Sequence, residues 1–85
     1  MTIVLTRTAE KQIEKLPQNL QNKLAKQFNF LKENSLHPSL RARKKSGSNE
    51  YEARIDLHYR FSYEVQEKTV IILAVGPHDE GLGKK

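Results

Sequence analysis

The sequence predicts an α+β fold in which an N-terminal strand and a helical hairpin pack on one face of a mainly antiparallel sheet of four to five strands. Three observations carry that prediction. Residues 51–65, YEARIDLHYRFSYEV, alternate apolar and polar side chains in two runs, the two-residue period of half-buried strands, and so read as a β-hairpin. Between residues 9 and 31 apolar side chains recur at helical spacing, with one break at Pro17. Residues 70–75, VIILAV, are apolar at every position, as expected of a strand buried on both faces in the middle of a sheet.

Taken in order, residues 2–6 form a first strand, with Ile3 and Leu5 on one side and Val4 on the other. Thr8 is the expected cap of a helix over residues 9–15, and Glu10 in its first turn complements the helix dipole. Pro17 disfavours helical geometry in Leu16 but suits the start of a new helix, so it marks the corner of the hairpin. The second helix spans residues 18–33, with Leu20, Leu24, Phe28 and Leu31 on one stripe. Asn34, Ser35 and His37-Pro38 break the pattern. A basic run follows, in which Arg41, Arg43, Lys44 and Lys45 crowd into five positions before the turn Ser46-Gly47-Ser48-Asn49.

In the hairpin, Tyr51, Ala53 and Ile55 face the core from one arm, and Tyr59, Phe61, Tyr63 and Val65 from the other. For both sets to share one sheet face the connection must have an odd length, most simply Asp56-Leu57-His58. That register sets Arg54 directly across from Arg60. Like charges facing each other across a strand pair are unfavourable, so the pair calls for a neutralising neighbour or an anionic ligand. Gln66, Glu67 and Lys68 turn into the apolar strand, and Gly76-Pro77 is expected to stop it.

The 85 residues suffice for one domain, residues 1–85, near the lower size at which a single core is enough. The absence of cysteine excludes disulfides, thiolate metal sites and a thiol nucleophile. No segment has the length or apolarity of a signal peptide or membrane span, so a soluble, cytoplasmic protein without a membrane partner is expected. A formal charge of +5 favours polyanionic partners.

Arg54, Arg60, the run Arg41 to Lys45 and His78, just past the last strand, are all expected on the sheet face away from the helices. This set suits cleavage of RNA, which needs no cofactor because the 2′-hydroxyl is a built-in nucleophile. The protein has only to position the chain, move protons and offset charge developing on the phosphorus oxygens. Arg54 and Arg60 are candidates to hold phosphate oxygens, Arg41, Arg43, Lys44 and Lys45 to bind the RNA backbone, and His78 to transfer a proton. Each has a plainer alternative: the basic run as a solvated edge strand, Arg54 paired with Asp56 or Glu52, His78 as a surface histidine. His37 and His58 lack matching acidic spacing and are assigned neither site nor metal.

The segments HPSLRARKKSG, YEARID, YRFSYEV and VGPHDE, with the strand and hairpin before them, resemble the RelE/ParE superfamily of small toxins from bacterial toxin–antitoxin modules. The likeness covers nearly the whole chain and rests most on Tyr51 followed by Arg54, on Tyr59-Arg60, and on Gly76 followed by His78. It implies a RelE-like fold, a cognate acidic antitoxin, and a ribosome-dependent endoribonuclease acting on mRNA. Its catalytic residues would be Arg54, Arg60 and His78, with Lys44 and Lys45 as the basic residues before the hairpin. The superfamily also contains inhibitors of DNA gyrase on the same fold, which gives the alternative function. An inactive relic or a plain RNA-binding domain is a third reading. The sequence departs from the nuclease pattern in two places: no aromatic residue follows His78, and Glu52 stands where some nucleases carry lysine.

Overall fold

The computed structural model describes residues 1–77. Its elements are β1 (Thr2–Leu5), α1 (Arg7–Glu14), α2 (Gln18–Glu33), a 3-10 turn (Pro38–Leu40), β2 (Arg43–Lys44), β3 (Glu50–Arg54), β4 (Tyr59–Gln66) and β5 (Thr69–Pro77). The described strands form one five-stranded sheet in the order β1-β5-β4-β3-β2. Strands β2 to β5 pair antiparallel in succession, whereas β1 joins β5 in parallel. The fold is therefore α+β as expected, with one parallel joint at the edge of a mainly antiparallel sheet.

The first helix starts earlier than its sequence pattern suggests, because Thr6 rather than Thr8 is the cap. Its hydroxyl accepts from the Ala9 amide and donates, shared, to the carbonyls of Ile72 and Leu73. Thr8 offers only the local half of that arrangement, so the tertiary bonds decide between them. Gln12 completes the attachment of α1 to β5 by accepting from the Val75 amide at 2.6 Å. These polar bonds cover the part of β5 that β1 is too short to reach, since β1 pairs only as far as Ile72. The second helix keeps its predicted bounds, and Leu20, Leu24, Gln27 and Leu31 form its buried stripe.

The apolar strand departs from expectation. Strand β5 lies inside the sheet, between β1 and β4, but its side away from the helices is only partly covered. Its uniform apolarity has another cause. Ser62 pairs with Ala74 while the next residue, Tyr63, pairs with Ile72, so Leu73 is an extra residue forming a β-bulge. The bulge reverses which parity faces the core: Val75 points inward above it, Ile72 and Val70 below it. The strand takes in Gly76 and Pro77 and ends with that dipeptide. The two-residue loop Glu67-Lys68 joins it to β4, with Gln66 paired to Thr69.

The core gathers Ala9, Leu20, Leu24 and Leu31 from the helices against Ala53, Phe61, Tyr63, Val70, Ile72 and Val75 from the sheet. Phe28 packs edge-on to Phe61 with ring centres 5.7 Å apart. Tyr63, fully buried, stacks on its cross-strand partner Tyr51 and donates its hydroxyl to the Ser35 carbonyl at 2.5 Å. Burial, reinforced by Tyr51, pushes its phenol up from 10.0 to about 12. The neutral phenol is thus favoured in the folded state. Its contribution is complete below pH 10, where the unfolded phenol begins to ionise, and is lost as pH rises through about 12. Tyr63→Phe should cost about 0.5–1.5 kcal/mol at neutral pH through the lost hydrogen bond. It should also flatten the alkaline decline in stability, measured as the denaturant midpoint across that pH range.

Candidate functional site

The hairpin register places Arg54 directly opposite Arg60, and Glu52 opposite both Ser62 on β4 and Arg43 on β2. Ala53 and Phe61, the intervening pair, point into the core, so Arg43, Glu52, Arg54 and Arg60 share the face away from the helices. With Arg41 and Ala42 they line a cleft of about 470 Å³. Four guanidinium groups thus surround one carboxylate. Among the described residues, none of the four is in a salt bridge, and the carboxylates considered as alternative partners for Arg54 do not take that role: Asp56 lies 3.8 Å from Lys23 instead.

Two of the four arginines, Arg41 and Arg60, are held by local structure. Arg41 follows the 3-10 turn in the left-handed region, φ 50 and ψ 44, and its amide donates to Pro38. A non-glycine residue there costs of order 1–3 kcal/mol, a strain that the fold must offset. The buried Leu40 beside it and the bonded turn before it hold it in place. Arg60 Nη1 donates to the carbonyls of Asp56 at 2.7 Å, Tyr59 at 3.2 Å and Leu57 at 3.3 Å. Those carbonyls are themselves organised by Asp56, whose carboxylate accepts from the amides of His58 and Tyr59 at 2.8 and 2.9 Å. Desolvation pushes the Asp56 carboxyl up, but the two amide bonds and Lys23 outweigh it and hold the group below 3.8. Its stabilising contribution is therefore present above the ordinary carboxyl range and is lost as pH falls through the depressed value. The connection closes as expected, with Ile55 donating to the Tyr59 carbonyl around Asp56-Leu57-His58.

The structure divides the basic run. Arg41 and Arg43 reach the cleft, whereas Lys44, opposite Tyr51, belongs to the other sheet face, and Lys45 pairs with Glu50 at 3.2 Å. The expected convergence of the whole run is corrected on this point: strand alternation sends neighbours Arg43 and Lys44 to opposite sides. His78 lies outside the described residues, and the strand leading to it ends at Pro77, opposite Tyr59. His37 has a local role, accepting from the Ser39 amide and stacking on Phe30. Among the described residues no cluster of three metal-ligating side chains occurs. No described helix is long and apolar enough to cross a membrane.

Two contributors escaped the sequence pattern. Asp56 was visible as a hairpin residue but not as the organiser of the Arg60 carbonyls. Gln27, buried on the α2 stripe, donates to the carbonyls of Arg54 at 2.7 Å and Ser39 at 3.2 Å. The available signal was its spacing, since 20, 24, 27 and 31 fit one helical face better than a series through Phe28.

The family model described as the ParE toxin of the type II toxin–antitoxin system parDE matches residues 3–82. The chain belongs to this toxin family. Solved structures agree on the fold. One similar chain is a YoeB/ParE toxin from Agrobacterium tumefaciens, 16% identical with a TM-score of 0.82, covering 92% of this chain and 99% of that one. Another comes from the RelB-RelE antitoxin-toxin complex of Methanococcus jannaschii, 23% identical with a TM-score of 0.77, covering 89% and 91%. A third, from the intact E. coli RelBE toxin-antitoxin complex, is 24% identical with a TM-score of 0.74, covering 88% and 93%. No curated protein sequence matches the chain. The RelE-like α+β architecture expected from the sequence is thus the architecture of this toxin.

Crowded like charges in the toxin's cleft cost the fold stability. Arg54→Gln, which relieves the cross-strand repulsion with Arg60, should stabilise the free toxin by about 0.2–1 kcal/mol at low salt. The gain should shrink as salt screens the pair. Denaturant midpoints of both proteins at low and high ionic strength provide the measurement.

Proposed function

We propose that this toxin is a ribosome-dependent, metal-independent endoribonuclease that cleaves mRNA. One observation carries the reading: four arginines without acidic partners among the described residues surround a cleft that also contains a single carboxylate, Glu52. Arg54 and Arg60 hold the scissile phosphate and offset the charge that grows on its oxygens during attack. Arg41 and Arg43 hold the neighbouring backbone, whereas Lys44, on the other sheet face, and Lys45, paired with Glu50, stand outside the cleft. Glu52 takes the proton of the attacking 2′-hydroxyl. His78 gives a proton to the leaving 5′-oxygen, which yields a 2′,3′-cyclic phosphate and a free 5′-hydroxyl.

A cognate acidic antitoxin follows from the same charge. Both the Methanococcus jannaschii and the E. coli relatives were solved as toxin–antitoxin complexes, and the net charge of +5 favours an acidic partner. The cytoplasm, where mRNA, ribosomes and antitoxin meet, is the compartment this reading requires. Antitoxin binding should weaken as salt rises, and the bound antitoxin should raise the toxin's melting temperature, because it stabilises the folded form by mass action. Titration calorimetry across a salt series, paired with thermal melts, measures both effects. Affinity independent of salt would count against the electrostatic account.

The family match to the parDE toxin favours a second reading, in which the same fold blocks DNA gyrase and the arginines serve the antitoxin alone. Cleavage of ribosome-bound mRNA by antitoxin-free toxin separates the two. Arg60→Ala should lower the rate by about two to three orders of magnitude, the scale of one preorganised electrostatic donor. Glu52→Gln and His78→Ala should each lower it about a hundredfold or more and remove one limb of the pH-rate profile, whereas Arg60→Ala should leave its shape unchanged. Growth arrest by the wild type without RNA cleavage, accompanied by inhibited gyrase, would instead establish the second reading.

A further inference from the structure

We propose that Gln27 is a positioning residue that sets the separation of the two walls of the arginine cleft and thereby its affinity for phosphate. The inference rests on reading that cleft as a phosphate site. One wall is the segment Arg41-Ala42-Arg43, which leaves the 3-10 turn; the other is the strand pair bearing Arg54 and Arg60. Among the described residues the two polar side chains buried in the fold are Gln27 and Ser62, and of these Gln27 bonds to the backbone of Arg54 in one wall and to that of Ser39 in the turn from which the other wall leaves. Its amide nitrogen carries two hydrogens. One goes to the carbonyl of Arg54 at 2.7 Å, the other to that of Ser39 at 3.2 Å, two residues before Arg41.

The chemistry of those contacts explains why a polar residue occupies a position whose helical neighbours at 20, 24 and 31 are leucines. A buried carbonyl without a donor is destabilising, and here two carbonyls from segments distant in sequence converge on one point. A primary amide can satisfy both at once, and doing so fixes the distance between them. No other natural side chain of that length presents two donors in a plane without adding charge. The bond to Ser39 also braces the turn that holds Arg41 in its left-handed conformation, against the tendency of that backbone to relax. Gln27 thus acts through Arg41 and Arg54 and has no need to meet the ligand. A phosphate between the walls gains most when both guanidinium sets are at fixed separation before it arrives.

The probe is pyrophosphate, small enough for the cleft, titrated into antitoxin-free toxin by calorimetry. Gln27→Met, which keeps the length and volume but removes both donors, should bind pyrophosphate about five- to tenfold more weakly, the worth of one lost orienting hydrogen bond. Gln27→Asn, polar but one carbon shorter, cannot span both carbonyls and should show a similar loss, which keeps the test available if the methionine variant folds poorly. A residue that merely supports the fold would lower the melting temperature and the active fraction without changing the affinity of the folded molecules. The decisive measurement is therefore a double-mutant cycle with Arg41→Ala: the effect of Gln27→Met should largely vanish once Arg41 is gone. Unchanged affinity in both folded Gln27 variants, or full additivity with Arg41→Ala, overturns the positioning role while leaving the phosphate site standing. Absence of pyrophosphate binding by the wild type overturns the phosphate site and the role together.

Discussion

Mutual repulsion among guanidinium groups is the constraint that the rest of this structure serves. Arg54 faces Arg60 across a strand pair, with Arg41 and Arg43 closing on them from a neighbouring segment. Left to themselves, four such side chains would splay into solvent. At Arg60 and Arg41 the fold opposes this with bonds to backbone carbonyls, not to carboxylates. Arg60 is directed by three carbonyls of the hairpin connection, and Arg41 is held by a bonded turn. Carbonyls orient a cation without cancelling its charge, so the cleft remains able to attract an anion. A close ion pair of Asp56 or Glu52 with Arg54 would have offset part of that charge. Pairing Asp56 with Lys23 on α2 and with two amides removes that option.

How much of this was readable from the chain depended on whether polar and apolar residues alternate. In the hairpin they do, and the alternation alone sufficed to give the Arg54–Arg60 register. In VIILAV they do not, so nothing in the sequence marks the bulge at Leu73, and uniform apolarity passed for burial on both faces. The basic run fails for the mirror-image reason: Arg43, Lys44 and Lys45 are all cations, and no apolar residue among them says which side each takes. Thr6 and Thr8 are equally good caps in local terms. The choice falls to Thr6 because it also meets the carbonyls of the bulge, a contact spanning more than sixty residues of chain. Gln27 was hidden because a polar residue at the margin of an apolar stripe ordinarily faces water.

The bulge joins these local facts to the site. By reversing parity partway along β5, it lets Val75 enter the core beside Phe61 while Ile72 and Val70 enter beside Tyr63 and Val65. A regular ladder would have turned one of those sets outward. The outer face above the bulge is thereby freed for Ala74 and Gly76, small residues opposite Ser62 and Arg60. Both apolar sets of β5 thus reach the core while small residues stand across from Ser62 and Arg60, and one inserted residue accounts for both placements.

The parallel joint between β1 and β5 has a consequence for how the toxin is made. Thr2 pairs with Thr69, so the strand synthesised first waits for nearly all the described chain before it finds its neighbour. Helix α1 waits as well, since the carbonyls that Thr6 meets and the amide that Gln12 meets belong to β5. Contacts of such long sequence separation form late, after the loop-closure entropy of the intervening chain has been overcome. A nascent or prematurely terminated chain therefore holds the basic hairpin without the edge strand and first helix that complete its support. Topology alone thus delays assembly of the complete sheet until β5 has been made.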